Sequence, residues 1–462
     1  MTSVDDRERL ASSPARELAL DCLEAGIDAA HPESVLRDAV ALDGDTLRIE
    51  AASYDLADYD EVVVVGGGKA GASVAATLET LLGDTLGGGV VVTDDPVETE
   101  RVDVVEATHP VPNEAGVEGA RRVREIVEDA GERTLVLAVI TGGGSALLPA
   151  PVDGITLADL QATTDLLLES GASIDEINAV RKHCSAIKGG RLAAAARPAH
   201  VATLAFSDVV GDDLGVIASG PTVPDPTTYA GALAVLDRYD LAVPEAVRTH
   251  LQAGAAGEHP ETPGPDADFG HVSTHVLANA WTAVDAAREV ATERGYDSLV
   301  LSTRVRGEAR EQGLGHVAVA EEVAASGEPV DPPAVVLSGG ETTVTVRGDG
   351  EGGPNQEFAL RAALEFGGAG GARGAGGTDP NGGDTVDDVV LAAVDTDGRD
   401  GGSDAAGAVV DGATVPDADA AAEARAALAD NDAGTYLDGR DALVYTGRTG
   451  TNVNDLRVLV VG

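Results

Sequence analysis

Aromatic side chains make up only 3% of the 462 residues, so the interior has to be packed from Val, Leu, Ile and Ala within a hydrophobic fraction of 43%. That fraction excludes a disordered chain and supports packed cores. Cysteine occurs twice, as Cys22 and Cys184, with no metal-ligand spacing and in stretches that read as helical. The pair therefore reads as buried thiols in a reducing compartment rather than a disulfide. The nine histidines form no cluster in sequence. There is no run of about 18 apolar residues, and the opening MTSVDDRERLASSPARELAL has no basic stretch followed by an apolar one. A soluble, cytoplasmic protein with no membrane contact is expected.

Positive charge is scarce: 31 basic side chains face 79 acidic ones, giving a formal net charge of −48. Such a surface repels nucleic acid and anionic membrane, which excludes both as partners. Its self-repulsion is screened within about 3 Å at 1 M salt, so the composition suits a halophilic, salt-rich cytoplasm. Most carboxylates are accordingly expected on the solvated surface. Lysine is scarcer still, with only Lys69, Lys182 and Lys188; every other cation is arginine. A chain that has shed lysine elsewhere is expected to keep these three for chemistry.

What is present is an alternation of strand and helix. The pattern predicts helices within 15–40, then strand 61–65, helix 70–82, strand 89–93, helix 114–130, strand 134–140, helices near 157–170 and 174–188, and strand 200–206. This order implies an α/β fold with a parallel sheet wound with helices. The length exceeds what one core usually holds, so two domains are expected, 1–252 and 271–462, joined by the Gly, Pro and acid-rich stretch 253–270. The second domain reads as strand 272–277, helix 279–294, strand 298–301, helix 307–326, strands 334–337 and 342–346, helix 355–365, strand 389–395, a helix near 417–429 and a final strand. The glycine-rich segment 367–384 cannot bury apolar surface and reads as a flexible insertion.

The stretch VVVVGGGKAG, 62–71, reads as a strand running through a glycine turn into a helix. Gly67 and Gly68 would let backbone N–H groups and the helix dipole face an anion. Read loosely it holds G-x-G-x-x-G, with Asp94 about where a ribose-binding acid belongs, so a dinucleotide site stays open. The pattern leaves Lys69 unexplained, whereas an anionic ligand at the helix start would face both lysine and dipole. A second glycine turn, TGGGSALLPAP, follows the next core strand with Gly143, Gly144 and the Ser145 hydroxyl. Two such turns on neighbouring strands would line one crevice at the carboxyl edge of the sheet.

In INAVRKHCSAIKGGRLA, Arg181, Ser185 and Lys188 would fall within roughly 60° of one another on a helix of 3.6 residues per turn, a face suited to phosphate or carboxylate. FSDVVGDDLGVIASGPT places Asp208 just past a strand end, and AAVDTDGRDGGSDAAG does the same for Asp395. Magnesium is commonly held by one or two carboxylates plus substrate phosphates, which makes Asp208 and Asp395 the candidate metal ligands. Asn355 at a helix start, with Thr449 and Asn452 in TGRTGTNVND, could hydrogen-bond a phosphate or a hydroxy acid.

These motifs, together with SGGETTVTV, GGPNQEFAL and VDTDGRDG, resemble in order and over nearly the whole chain the glycerate 2-kinases of the MOFRL-containing family. The resemblance implies an N-terminal Rossmann-like α/β domain and a C-terminal α/β MOFRL domain, with the active site in the cleft between them. It implies phosphorylation of the 2-hydroxyl of D-glycerate by ATP with magnesium, giving 2-phosphoglycerate and ADP. The family's motif lysine falls on Lys69, and its basic motif on Arg181, Lys182 and Lys188. Phosphoryl transfer needs positioning and charge stabilisation, which assigns Lys69 and Asp208 to the catalytic centre. Many members carry arginine where this chain has Pro354, a charge that Arg347, Arg399 or Arg448 would have to supply. Some relatives have been described as hydroxypyruvate reductases, which keeps an NAD(P)H-dependent alternative alive. The oligomeric state is left open, a homo-oligomer included.

Overall fold

The computed structural model describes residues 2–367 and 389–462. The segment 367–384 expected as an insertion lies, beyond Gly367, outside the described residues. The chain forms two compact units, one of Pro32–Leu277 and one of Met1–His31 with Ala278–Gly462. Each is α/β.

The contiguous unit opens with a small antiparallel meander of β1 (Val40–Asp43), β2 (Thr46–Ile49) and β3 (Ala52–Asp55), which the sequence reading did not anticipate. Its main sheet contains β4 (Glu61–Gly67), β5 (Gly88–Thr93), β6 (Val102–Glu106), β7 (Thr134–Thr141), β8 (His200–Phe206) and β9 (Val272–Ala278). They lie in the order β6-β5-β4-β7-β8-β9, with the pairs among β4 to β8 all parallel. This is the doubly wound order whose direction reverses between the first and fourth strands. The Val and Leu runs that made β4 and β7 legible are buried on both faces, as a sheet covered by helices requires. Helix Glu114–Asp129 seals one face, placing Ala120, Val123 and Val127 against Val63, Val92 and Val136. Each such valine contributes about 1.5–3 kcal/mol by leaving water.

The other unit is built on a mixed sheet of β10 (Asp297–Glu308), β11 (Ala334–Thr343), β12 (Val389–Asp395), β13 (Gly407–Asp411), β14 (Leu443–Val444) and β15 (Asp455–Val461), in the order β10-β11-β15-β12-β13-β14. Only β10 and β11 are parallel.

Four expectations change. The segment 272–277 joins the first sheet beside β8 rather than opening the second unit, and Val201 N–H donates to the His271 carbonyl to start that edge. Helix Pro14–Ala30 packs with the second unit, because Gly26 admits close contact: a methyl there would stand 2.8 Å from the Ala283 carbonyl oxygen. The expected strands 334–337 and 342–346 are one strand, β11; its SGG sequence runs straight through against β10 and β15. The helix expected over 174–188 ends at His183, because Ala186 N–H donates to Ala150 O and Ser185 bridges to Pro151, pulling the chain into another course.

The close approach of β4 to its neighbours sets a first test. A methyl on Gly68 would stand 2.2 Å from Thr141 Oγ1, at a backbone φ of +128°. Gly68→Ala should therefore cost about 2–4 kcal/mol of stability in denaturant unfolding at molar KCl, through both strain and overpacking.

Candidate active site

The strand order puts the topological switch point between β4 and β7, and both glycine turns leave the sheet there. The turns are locked together by main-chain N–H groups of the first turn, which donate to a carbonyl and a threonine hydroxyl of the second. Lys69 N–H donates to Gly142 O at 2.8 Å, and Ala70 N–H to Thr141 Oγ1 at 3.3 Å. Gly68 N–H donates to Val92 O, and the Thr93 hydroxyl to Lys69 O. The first turn thus spends the N–H groups of Gly68, Lys69 and Ala70 internally, and what the geometry gives Gly67 and Gly68 is close packing. A methyl on Gly67 would meet Val92 O at 2.2 Å.

The second turn is the open one. Gly143 is left-handed, and among the described residues its N–H and those of Gly144 and Ser145 have no acceptor. The Lys69 side chain crosses directly over it: a methyl on Gly143 would stand 3.1 Å from Lys69 Cγ and 3.2 Å from His109 Cδ2. Lys69, Gly143, Gly144 and Ser145 are therefore brought together, and His109 joins them. No motif pointed to His109, since the stretch carrying it, ATHPVPN, resembles an ordinary loop.

Ser145 Oγ lies 2.8 Å from Ser219 Oγ, whose hydroxyl donates to Asn178 Oδ1 at 2.9 Å. Ser219 and its neighbour Ala218 both hold positive φ, +62° and +49°, in a turn folded against Gly144. Such strain in non-glycine residues clusters at functional sites. Asn178 and Ser219 sat inside motifs already noted, but their side chains meet only through the tertiary fold.

The three lysines take different roles. Lys182 Nζ forms a buried ion pair with Asp225 at 3.1 Å, and Asp225 also accepts from Thr227 and Thr262. That is a structural device, which corrects the expectation that every lysine serves chemistry. Lys188 is buried past the helix end, not on its face, and its Nζ donates to Leu148 O at 3.2 Å. Burial pushes its ammonium down to about 7, and the nearby Arg181 charge pushes the same way. Arg181 is itself lowered by burial. Lys188 thus stands beside the segment that Ser145 begins. Asp208 is half-buried two residues beyond β8, at the same carboxyl edge, while Asp213 accepts from Gly215 N–H in its own loop. Cys22 and Cys184 are buried free thiols, each pushed up to about 12 by burial.

The second unit gathers polar groups where β11 and β12 end and β15 begins. Asp400, expected on the surface, is buried. Its carboxylate accepts from the N–H groups of Asn355 and Gln356 at 2.9 and 2.8 Å and so caps helix Pro354–Phe366 from a distance. Burial pushes this carboxyl up to about 7 against those bonds. Asn355 Nδ2 bridges Asp400 and Asp455, at 3.2 and 2.7 Å, so its amide is committed to carboxylates. Asp455 is paired with the fully buried Arg457, whose guanidinium lies 4.6 Å from the Phe358 ring centroid. His316, pushed down to about 4 by burial, is neutral; its Nδ1 donates to Gln312 O and its Nε2 accepts from the Ser338 hydroxyl. Thr449 donates to Thr396 O at 2.6 Å, and Asn452 Oδ1 accepts from Asn454 N–H at 3.2 Å, so both hold their own loop in shape. Asp395 ends β12 opposite Asp455. No three His, Cys, Asp or Glu residues gather to hold a metal among the described residues.

Comparison with known proteins agrees with this architecture. Residues 18–252 match the family described as "Domain of unknown function (DUF4147)", and residues 334–455 match the MOFRL family. The chain is 38% identical to a glycerate 2-kinase of Pyrococcus horikoshii, over 96% of this chain and 97% of the relative. It is 42% identical to a protein of Agrobacterium vitis provisionally called a hydroxypyruvate reductase, over 87% of each. A solved glycerate kinase from Thermotoga maritima superposes with a TM-score of 0.80 at 36% identity, covering 96% of this chain and 99% of that one. The fold is thus the two-unit α/β architecture with a MOFRL region in its second unit. The chain belongs to the MOFRL-containing glycerate 2-kinase family.

The division of labour among the lysines is open to measurement. Asp225→Asn should destabilise the protein by about 3–5 kcal/mol, since it strands the Lys182 ammonium in the interior. Thermal unfolding in molar KCl, compared with the substrate KM of the folded fraction, separates this structural loss from a binding defect.

Proposed function

We propose that this protein transfers the terminal phosphoryl group of ATP to the 2-hydroxyl of D-glycerate, releasing 2-phosphoglycerate and ADP. The observation that carries the reading is Lys69 laid across the open Gly143 turn at the sheet's switch point, with Lys188 beside the Ser145 segment. In the reaction the substrate oxygen forms a bond to the terminal phosphorus as the bond to the bridging oxygen breaks. The hydroxyl proton passes to solvent water, and ADP carries away the bonding pair. The protein's work is positioning and charge stabilisation. Lys69 faces the transferring phosphoryl group, and the N–H groups of Gly143, Gly144 and Ser145 supply further donors to its oxygens. Lys188 and Arg181 orient the glycerate carboxylate.

A dedicated metal cage does not fit these residues, but an ion carried mainly by nucleotide phosphates does. Asp208 is the carboxylate we assign to magnesium in the first unit, and Asp395 is its counterpart in the second. Bound there, magnesium would neutralise phosphate charge. Asn355, Thr449 and Asn452 act in this reading by shaping the loops around Asp395 and Asp455. The composition suits a salt-rich cytoplasm, with nucleic acid and membrane excluded as partners by charge; no described helix is long and apolar enough to cross a membrane.

A reductase reading draws on the name of the Agrobacterium vitis relative and on Asp94 just past β5. It leaves Lys188 and Arg181 without work, and oxidation of NAD(P)H by hydroxypyruvate would favour it.

Two measurements test the kinase. With ATP, magnesium and glycerate at multimolar KCl, coupling to enolase should detect 2-phosphoglycerate, and Lys69→Ala should lower kcat about 100-fold or more with unfolding unchanged; absence of ADP in the wild type sinks the proposal. Lys188 is charged below about pH 7 and neutral above it, while the glycerate carboxylate stays ionised. The kcat/KM for glycerate should therefore fall as pH rises through about 7, and Lys188→Arg should flatten that fall.

A further inference from the structure

The hydroxyls of Ser145 and Ser219 and the amide of Asn178 form one hydrogen-bonded chain, and the orientation of the Asn178 amide, with Oδ1 towards Ser219 and Nδ2 without a partner among the described residues, sets the order of its protons. In that orientation Asn178 Oδ1 can only accept, so the bond at 2.9 Å takes the single hydroxyl proton of Ser219. Ser219 then has nothing left to donate to Ser145, and the 2.8 Å contact between them must be made by the Ser145 proton. Asn178 and Ser219 are buried, so water does not reorder the chain, whereas Ser145 is half-exposed at the open glycine turn.

Ser145 is left with its proton turned inward and its oxygen lone pairs available. An oxygen in that state repels phosphate and carboxylate oxygens and attracts a hydroxyl group. This changes the role expected of Ser145 from its place in a glycine turn, which was phosphate binding. Resting on the kinase reading, we infer that the relay Ser145–Ser219–Asn178 is a specificity device: Ser145 accepts a hydrogen bond from a free hydroxyl of the acceptor substrate, whose carboxylate is taken by the buried Lys188 on Leu148 and by the half-buried Arg181 near it. The substrate class selected is a short hydroxy acid, and Asn178 and Ser219 are positioning residues that act through Ser145. A site built to bond a substrate hydroxyl rejects the analogue that lacks it.

Titration calorimetry at multimolar KCl with glycerate, lactate and 3-hydroxypropionate reads the relay without turnover, since the last two each lack one hydroxyl. The wild type should bind glycerate more tightly than at least one of them by about tenfold. Ser145→Ala should bring that ratio close to one. Ser219→Ala should do the same, because Ser145 can then turn its proton outward, while glycerate itself remains bound through its carboxylate. Asn178→Asp keeps an acceptor opposite Ser219 and should preserve the wild-type ratio, with thermal unfolding confirming that each variant is folded. A ratio unchanged in folded Ser145→Ala or Ser219→Ala overturns the inference, as does a wild type that does not discriminate. A wild type that shows the ratio but forms no ADP supports the relay and overturns the kinase reading alone.

Discussion

The contact on which the rest of the site depends is the backbone lock between the two glycine turns. Lys69 N–H on Gly142 O and Ala70 N–H on Thr141 Oγ1 join the exits of β4 and β7 at the place where the sheet reverses its winding. Because both bonds are donated by main-chain N–H groups, to a carbonyl and to the Thr141 hydroxyl, they fix the course of the chain at Lys69 without using its ammonium. The side chain then lies over Gly143, where a glycine leaves room for both it and the His109 ring. The lock also exchanges the functions of two similar sequences: the turn carrying the lysine is closed by its own hydrogen bonds, and the neighbouring turn is left open.

Beneath that lock, the chain uses its few positive charges in graded environments. Lys182 is neutralised by Asp225 in the interior, and Asp225 ties together the two separate loops that carry Thr227 and Thr262. Among the described residues the buried Lys188 ammonium has a carbonyl, Leu148 O, as its hydrogen-bond partner and a cation nearby, so its charge is costly until an anion arrives. In a chain with 79 carboxylates, keeping acids away from Lys188 is as much a part of the site as placing the lysine. The second unit shows the complementary arrangement, in which buried acids are held by N–H groups and arginine: Asp400 by a helix start and Asp455 by Arg457.

Much of this was legible in the sequence wherever a signal was local. The valine runs of β4 and β7 and the glycine turns pointed to the carboxyl edge of the first sheet, where both strands end and where Lys69 lies over Gly143. Signals that depend on a distant neighbour were not legible. The end of the helix at His183 is imposed by Ala150 and Pro151, and the short edge strand β6 is too exposed to show an apolar pattern. Gly67 and Gly68 looked like a phosphate loop because nothing in their own stretch reveals that Val92 and Thr141 press against them. Asp400 was hidden by composition: among so many surface acids, one buried carboxylate has no distinguishing mark until Asn355 and Gln356 are seen above it.

The pairing of helix Pro14–Ala30 with β15 and with helix Ala280–Glu293 has a consequence for how the chain is made. On the ribosome that helix emerges before the whole of the contiguous unit, and its strand emerges after it. The unit of Pro32–Leu277 has all its strands in hand early and can condense during synthesis, whereas Leu18, Leu20, Leu23 and Ile27 must wait in solvent for partners yet to be translated. That helix is thus left with an uncovered apolar face during synthesis, and Glu17, Asp21, Glu24 and Asp28 give it a net negative charge that opposes its association with others of its kind until the last strand arrives.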